Sequence, residues 1–234
     1  MNKNNTLIKN NVNKQSKDGI KKPNEKYYSH ADSISKESGI EIKEGLKILS
    51  KIKNKIVTVF GSHSMTRNNS YYKDCEKVAY QLGKRGYAII TGGGPGIMEA
   101  ANSGAIKAGT ESIGFKAKLL QAEQSVDGKL FTHQYSYKYL FARRFNLAIE
   151  SEALIFYPGG YGTLNELFEY ITLIQTHMVD AVPIICVGRK YWAGLFKWMA
   201  DESVKEGVLG KKDLEIINFA DNIDQILGII EKKF

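Results

Sequence analysis

Short apolar segments alternate with helical segments from residue 55 to residue 234. Runs such as KIVTVFGS, YAIITGG and VPIICVG have the composition of buried strands, and helical segments of about 10–17 residues separate them. Connections of that length join parallel strands, because a tight hairpin joins only antiparallel ones. The alternation therefore predicts one α/β domain over residues 55–234, with a doubly wound, mostly parallel sheet and helices on both faces.

The segment before this domain carries most of the positive charge. The net charge is +8, and residues 1–55 hold 13 lysines against six acidic residues. Residues 1–34 are poor in apolar side chains, so we expect a basic, disordered leader. Residues 35–54 have apolar side chains at helical spacing, which predicts an N-terminal helix. A leader that is only solvated and one that binds acidic partners are both open alternatives.

Composition also narrows the function classes. The remaining residues are nearly neutral, so we expect no nucleic-acid binding by the folded domain. No stretch reaches the roughly 18 apolar residues of a membrane span, and the N-terminus lacks a signal-peptide core. We therefore expect a cytoplasmic protein without a membrane partner. Cys75 and Cys186 form no CxxC pattern and are expected to be free thiols. The four histidines lack metal-ligand spacing, so neither a metal nor a cofactor is expected.

Three glycine-rich junctions follow predicted strands, at Gly61-Ser62, Gly92–Gly96 and Gly159–Gly162. Ligands of open α/β sheets bind at the carboxyl edge of the strands, where these junctions fall. Glycine lets the backbone approach a ligand closely, and a helix N-terminus offers N–H groups to an anion. Phosphate is therefore the expected ligand. The alternative is that the glycines only form tight turns followed by an ordinary helix cap. The candidate binding residues of these junctions are Ser62, Gly93, Gly94, Met98, Gly159, Gly160, Tyr161, Gly162 and Thr163.

These junctions do not match the common nucleotide-binding motifs. The G-x-G-x-x-G template counted from Gly92 requires a glycine where Ile97 stands, and counted from Gly94 it requires one where Glu99 stands. The P-loop motif is absent altogether. A nicotinamide-dependent dehydrogenase and a P-loop ATPase are therefore disfavoured.

Charged side chains near the third junction indicate chemistry. Glu166 follows the glycine loop by one helical turn, and Arg143 and Arg144 lie on the preceding predicted helix. Neighbouring helical residues point about 100° apart, so the two arginines are expected to differ in role. A carboxylate beside a bound ribose phosphate can stabilise an oxocarbenium-like state or activate water. A surface salt bridge between neighbouring helices is the alternative.

The segments TGGGPGIMEAAN, FARRFNLAIESEALIFYPGGYGTLNELFE and VPIICVGRKYW resemble the LONELY GUY (LOG) family, once mislabelled as lysine decarboxylases. The longer branch of that family matches best, and the resemblance runs from about Glu41 to the C-terminus. It implies a Rossmann-like homodimer that hydrolyses the N-glycosidic bond of a nucleoside 5′-monophosphate. The implied substrate is AMP or N6-prenyl-AMP together with water, and the products are a free base and ribose 5-phosphate.

The resemblance also assigns roles to residues. Arg143 and Glu166 match the catalytic pair of the family, and Gly160 through Thr163 match its phosphate-holding loop. Thr172 and Glu123 match residues that contact the substrate. No cofactor or metal is implied.

Two positions depart from the family pattern. Arg144 stands where the family usually has lysine, and a fork-shaped guanidinium makes different contacts from an ammonium group. Asn165 stands where many relatives carry a second acid, so Glu166 is the one carboxylate inside the motif. The competing hypothesis is a non-catalytic carrier of a phosphorylated ligand such as the molybdenum cofactor, since related folds have that role. The presence of Arg143 and Glu166 favours the enzyme.

Overall fold

Seven parallel strands form one sheet in the computed structural model, which describes residues 30–120 and 125–232. The strands are β1 (Lys55–Phe60), β2 (Tyr87–Thr91), β3 (Ser112–Ala117), β4 (His133–Tyr137), β5 (Ser151–Phe156), β6 (Ile184–Val187) and β7 (Ile217–Ala220). The helices are α1 (Ala31–Leu49), α2 (Ser70–Lys84), α3 (Ile97–Ala108), α4 (Leu140–Ala148), α5 (Tyr161–Gln175), α6 (Arg189–Trp198) and α7 (Ile223–Glu231). Short 3₁₀ helices occupy Gly128–Leu130 and Lys211–Ile216.

The strand order is β4-β3-β2-β1-β5-β6-β7, and every neighbouring pair is parallel. The chain starts at the centre of the sheet, winds outward to β4, and then returns to the other side of β1 with β5. The Rossmann-like, doubly wound fold predicted from the sequence is therefore confirmed. The order reverses between β1 and β5, and the crevice at such a point is where α/β proteins bind ligands.

Helices cover both faces of the sheet. On one face, α2, α3 and α7 pack over strand residues such as Val57, Val59 and Ile155. On the other, α4, α5 and α6 pack over Phe60, Leu154 and other buried side chains, and the C-terminal part of α1 joins this layer. Because both faces are covered, the central strands are apolar at nearly every position, which is why they were easy to predict.

The prediction that residues 118–136 are irregular was wrong in one respect. A strand, β4, forms at the end of this segment and pairs with β3 at the edge of the sheet. Only Tyr137 of this strand is fully buried, so the sequence HQYSY lacks the apolar run that marks the central strands. The following helix, predicted over 137–151, is correspondingly shorter and begins at Leu140.

Several helix and strand ends also differ from prediction. α1 begins at Ala31 and ends at Leu49, and the remaining leader residues 1–29 lie outside the described residues. The helix predicted over 191–207 ends as an α-helix at Trp198 and continues as a π-helical turn over Met199–Ser203. None of these five residues is buried, so no packing against the sheet maintains the α-helical spacing. β7 begins at Ile217, after a 3₁₀ helix rather than at Leu214.

Candidate functional site

The backbone of Ser62 joins the three glycine-rich junctions at the carboxyl edge of the sheet. Its N–H donates to the Pro158 carbonyl oxygen at 3.1 Å, and its carbonyl oxygen accepts from the Ile97 N–H at 3.0 Å. Its hydroxyl oxygen accepts a hydrogen bond from the Ser64 N–H at 3.1 Å. The loops after β1, β2 and β5 therefore meet at one place, and Ser62 lies at their centre.

Three glycines allow this close approach. A Cβ at Gly92 would overlap the Arg143 guanidinium, and one at Gly159 would overlap the Thr163 side chain. Gly96 has a φ of +72°, a conformation that favours glycine, and a Cβ there would overlap the Ser62 carbonyl oxygen. These positions are occupied by glycine because the protein itself leaves no room for a side chain.

Gly160 and Gly162 have a different environment. A Cβ at either position would meet no atom within 4 Å, and Gly162 adopts an ordinary helical conformation. Neither packing nor backbone geometry of the described chain explains these two glycines. They border open space at the start of α5, where a bound molecule has room to contact the backbone.

α5 begins at Tyr161 after the N-cap residue Gly160, which provides no side-chain cap. The Leu164 N–H donates to the Gly160 carbonyl at 3.0 Å, and the three preceding N–H groups belong to the first turn. Such N–H groups and the helix dipole favour an anion. Thr163 is buried within this turn, whereas Tyr161 is almost fully exposed.

Arg143 is held rigidly beside this edge. The residue lies on the first turn of α4 and is only 6% exposed. Its Nε donates to the Phe115 carbonyl oxygen at 2.7 Å, and its Nη2 donates to the Gly92 carbonyl oxygen at 3.2 Å. Two carbonyls, one within β3 and one immediately after β2, therefore fix the position of the guanidinium. Met98, on the first turn of α3, lies beside Gly92 in the same neighbourhood.

Tyr170 joins the helix of Glu166 to the helix of Arg143. Its buried hydroxyl donates to the Arg144 carbonyl oxygen at 2.8 Å and so links α5 to α4. Burial holds the pKa of Tyr170 well above its usual value; the charges of Glu166 and Glu169 raise it further, while Arg144 and Arg143 lower it. Glu166 itself is half-buried on α5.

Arg144 lies in different surroundings. Its Nε forms an ion pair with Glu169, and the two residues line a cavity of about 570 Å³ between α4, α5 and the segment that follows α5. Apolar side chains such as Phe145 and Ile149 make up much of its wall, and no residue of the glycine-rich junctions contributes to it. The structure therefore does not bring Arg144 to the junctions with Arg143.

The remaining predicted contacts are spread more widely. Thr172 is exposed further along α5, and its hydroxyl donates to the Phe168 carbonyl oxygen at 2.7 Å, so it does not lie at the glycine loops. Gly93 closes the turn after β2 through its N–H, which donates to the Thr91 hydroxyl at 2.9 Å, and Gly94 is buried beside it. Glu123 lies outside the described residues.

Lys116 was not predicted to belong to this site. It is 5% exposed at the carboxyl end of β3, follows Phe115, and packs its alkyl chain against Gly93. Its Nζ lies 4.7 Å from the centre of the Phe131 ring. Buried lysines are rare, and this one lies against Gly93, the neighbour of the glycine that Arg143 contacts. The available signal was a lysine inside the otherwise apolar strand ESIGFKA.

The described part of the chain shows neither a metal-binding cluster nor a membrane-spanning helix. Among residues 30–120 and 125–232, no cluster of three or more His, Cys, Asp or Glu side chains has the arrangement of a metal site. Nor does any helix in the described ranges combine the length and the apolar character needed to cross a bilayer.

The fold and the helix N-termini at its switch point define a Rossmann-like α/β protein. Comparison with protein families identifies one family within this fold class. The model of the family described as "Possible lysine decarboxylase" matches residues 98–230, which is more than half of the chain. The chain belongs to this family, the LONELY GUY family that the sequence motifs indicated.

Curated relatives agree with this assignment. The chain is 26% identical over 177 residues to cytokinin riboside 5′-monophosphate phosphoribohydrolase LOG2 of Arabidopsis thaliana, with 75% of this chain and 82% of the relative covered. It is 31% identical over 175 residues to the probable enzyme of that name, LOG6, from the same plant, with 73% and 86% covered.

Solved structures share the fold at lower identity. A molybdenum cofactor binding protein from Rippkaea orientalis has a TM-score of 0.57 and 18% identity, with 78% of this chain and 98% of that chain covered. The molybdenum cofactor carrier protein of Chlamydomonas reinhardtii has a TM-score of 0.55 and 17% identity, covering 77% and 98%. At this identity the likeness extends to the fold alone.

Proposed function

We propose that this LOG-family protein is a hydrolase that cleaves the N-glycosidic bond of a nucleoside 5′-monophosphate, either AMP or N6-prenyl-AMP. The products are the free base and ribose 5-phosphate. One observation carries the proposal: the Tyr170 hydroxyl donates to the Arg144 carbonyl oxygen and so packs the helix of Glu166 against the helix of Arg143, and the N-terminus of the Glu166 helix has open space beside Gly160 and Gly162. The names of the curated relatives support the same reaction class.

The N-terminus of α5 would bind the 5′-phosphate. Its first-turn N–H groups and dipole favour an anion, and the two open glycines let the phosphate approach the backbone. Glu166 follows Thr163 by three residues, about 4.5 Å further along the helix axis. A phosphate at the helix end therefore brings the attached ribose towards this carboxylate.

Glu166 would stabilise the positive charge that develops at C1′, or activate the attacking water. The water oxygen bonds to C1′ as the bond from C1′ to the base nitrogen breaks. The electron pair leaves with the base, which takes up a proton. Arg143, whose guanidinium donates to two backbone carbonyls, would place a fixed positive charge beside the bound substrate.

The test is chromatographic detection of free base from a panel of nucleoside monophosphates, with unphosphorylated adenosine as the control substrate. AMP or its prenylated relative should release base, and adenosine should release little. Glu166→Gln and Arg143→Ala should each lower kcat by about 10²-fold or more. Glu150→Gln, which changes an exposed carboxylate after α4, is the matched control and should keep full activity. Full activity in either site variant would contradict the mechanism.

The second candidate function is that of a non-catalytic carrier of a phosphorylated ligand such as the molybdenum cofactor. The solved structures that share the fold include such carriers, although the likeness extends only to the fold. Tight binding of ribose 5-phosphate or AMP without any base release would favour the carrier. Base release with turnover would exclude it.

We further propose that the protein acts as a cytoplasmic homodimer. Its two cysteines, Cys75 and Cys186, are free and buried, as expected in a reducing compartment. A group of apolar side chains is exposed on α4 and after α5, which a second copy of the chain would cover. These side chains are Phe141, Phe145, Ile149, Met178 and Val179.

A further inference from the structure

Helix α1 makes an unusual contact with the N-terminus of α4. Glu41 lies on α1, outside the residues that match the family model, and is only 8% exposed. Its Oε1 accepts from the Lys138 N–H at 2.6 Å, and its Oε2 accepts from the Tyr139 N–H at 3.1 Å. A buried carboxylate from a distant part of the sequence therefore binds two consecutive backbone N–H groups.

These two N–H groups lie at the start of α4. Tyr139 is the N-cap residue of α4 and provides no side-chain cap of its own. Glu41 supplies from another helix the acceptor for the N-cap N–H that a Glu or Gln at the third helical position provides in a capping box. The negative charge also has a favourable interaction with the helix dipole. α4 has only nine residues and depends on such contacts, because helices this short are marginal alone.

The contact reaches Arg143 through one hydrogen bond. The Arg143 N–H donates to the Tyr139 carbonyl oxygen at 3.1 Å, so Glu41 binds one side of Tyr139 and Arg143 binds the other. The Arg143 side chain then extends to the carbonyls of Phe115 and Gly92. The path from Glu41 to the guanidinium thus passes through the first turn of a single helix.

Further contacts fix α1 against the same helix. Asn146 of α4 donates from its Nδ2 to the Ile42 carbonyl oxygen at 3.3 Å and to the Tyr137 hydroxyl at 3.1 Å. A Cβ at Gly45 would overlap both Asn146 and the Tyr137 hydroxyl. The two helices therefore lie as close together as a glycine permits, and small displacements of α1 are transmitted to α4.

We propose that Glu41 is a positioning residue, which sets the location of the Arg143 guanidinium through the first turn of α4. The proposal rests on the proposed hydrolase function only for its kinetic consequence. Under this proposal, α1 contributes to the geometry of the catalytic site.

Glu41→Gln is the first test. The amide has one oxygen, so one of the two N–H groups would face an NH₂ group instead of an acceptor. We expect kcat for base release to fall about tenfold or more, with a smaller change in KM. The melting temperature should also fall by a few degrees, because one buried N–H group loses its acceptor. Glu44→Gln, on the exposed face of the same helix, is the matched control and should behave as the wild type. Glu41→Asp keeps the carboxylate and should retain more activity than the amide.

A double-mutant cycle separates positioning from general destabilisation. If Glu41 acts through Arg143, then Glu41→Gln should have almost no further effect on kcat in an Arg143→Ala background. An equal loss in both backgrounds would overturn the proposal, as would a wild-type kcat in Glu41→Gln.

Hydrogen exchange tests the proposal without any substrate. Amides from Lys138 to Arg143, at and before the start of α4, should exchange faster in Glu41→Gln, whereas those of α5 should not. Unchanged exchange at α4 would overturn the proposal even if the wild-type protein released no base. Absence of base release from the wild type, with faster exchange in the variant, would reject the hydrolase function and leave the positioning role of Glu41 in place.

Discussion

Arg143 and Arg144 are neighbours in sequence, yet their guanidinium groups lie in different surroundings. Arg143 binds the carbonyls of Phe115 and Gly92, while Arg144 pairs with Glu169 beside an apolar cavity. The 100° step of the helix predicted that their roles differ. Spacing alone could not predict which of the two arginines faces the glycine-rich junctions, because that depends on how α4 packs on the sheet. Lys116 was missed for the same reason, since only the fold brings β3 beside Gly93.

Gly162→Ala should separate binding from folding. Gly162 is in the first turn of α5 and a Cβ there meets no protein atom, so alanine should stabilise the fold by about 0.5–1 kcal/mol. The added methyl group would occupy the space proposed for phosphate, so the Kd for ribose 5-phosphate should rise. Urea unfolding and calorimetric titration measure the two effects. Gly194→Ala in α6, also in open space, is the matched control and should gain stability without losing affinity. Unchanged affinity in Gly162→Ala would argue against phosphate at this helix.

Gly92→Ala should destabilise the protein, in contrast to Gly162→Ala. Its Cβ would overlap the Arg143 guanidinium, so either the arginine or the backbone must move. We expect a loss of stability of about 1–3 kcal/mol, as for other overpacked sites, together with a loss of base release. Wild-type stability and activity in this variant would mean that Arg143 is less rigidly held than its hydrogen bonds to the Phe115 and Gly92 carbonyls indicate.

At the scale of elements, burial decided which strands the sequence revealed. Strands β1, β2 and β5 are buried on both faces and appear as continuous apolar runs, so their positions were predicted closely. β4 lies at the sheet edge, and its mixture of polar and aromatic residues is like the sequence of a loop. The ends of the helices were predicted less accurately than the strands. Asn69 and Asn222 cap α2 and α7 from the adjoining sequence. The start of α4, by contrast, depends on Glu41, which lies more than 90 residues away in the sequence.

Asn222→Ala should destabilise the protein through one helix end. The Asn222 side chain accepts from the Gln225 N–H at 3.0 Å and caps α7. Losing this acceptor should lower the free energy of unfolding by about 1 kcal/mol. Asn222→Asp keeps an acceptor at the same place and should lose much less. Urea unfolding of the three proteins tests this, and equal stability of the alanine variant would show that the cap contributes nothing.

At the scale of the whole molecule, the exposed apolar side chains of α4 and the segment after α5 bear on assembly. Phe145→Glu should convert the proposed dimer to a monomer, because it places a charge among side chains that the second copy would cover. Light scattering measures the mass of each form. Val208→Glu, at an exposed apolar residue outside this group, is the control and should remain dimeric. A wild-type protein that is already monomeric would reject the homodimer.

Buried titratable groups predict a loss of stability in alkaline solution. Burial raises the pKa of Tyr72 to about 12 and that of Cys186 to about 12, and it holds the pKa values of Tyr157 and Tyr170 well above normal. Above about pH 9 the unfolded chain loses these protons before the folded protein does. The unfolded state then binds fewer protons, so the free energy of unfolding should fall as pH rises. Urea unfolding at pH 8 and pH 11 measures this fall, and Tyr72→Phe should reduce it.

The hydrogen bond from Ser62 to Pro158 also bears on when the site can form during synthesis. β1 is flanked by β2, which follows it closely, and by β5, which lies about 90 residues later in the chain. A ribosome must therefore make most of the protein before the two sides of the crevice can meet. Until then, one edge of β1 has no partner strand, and an unpaired strand edge is a site at which chains can pair with one another.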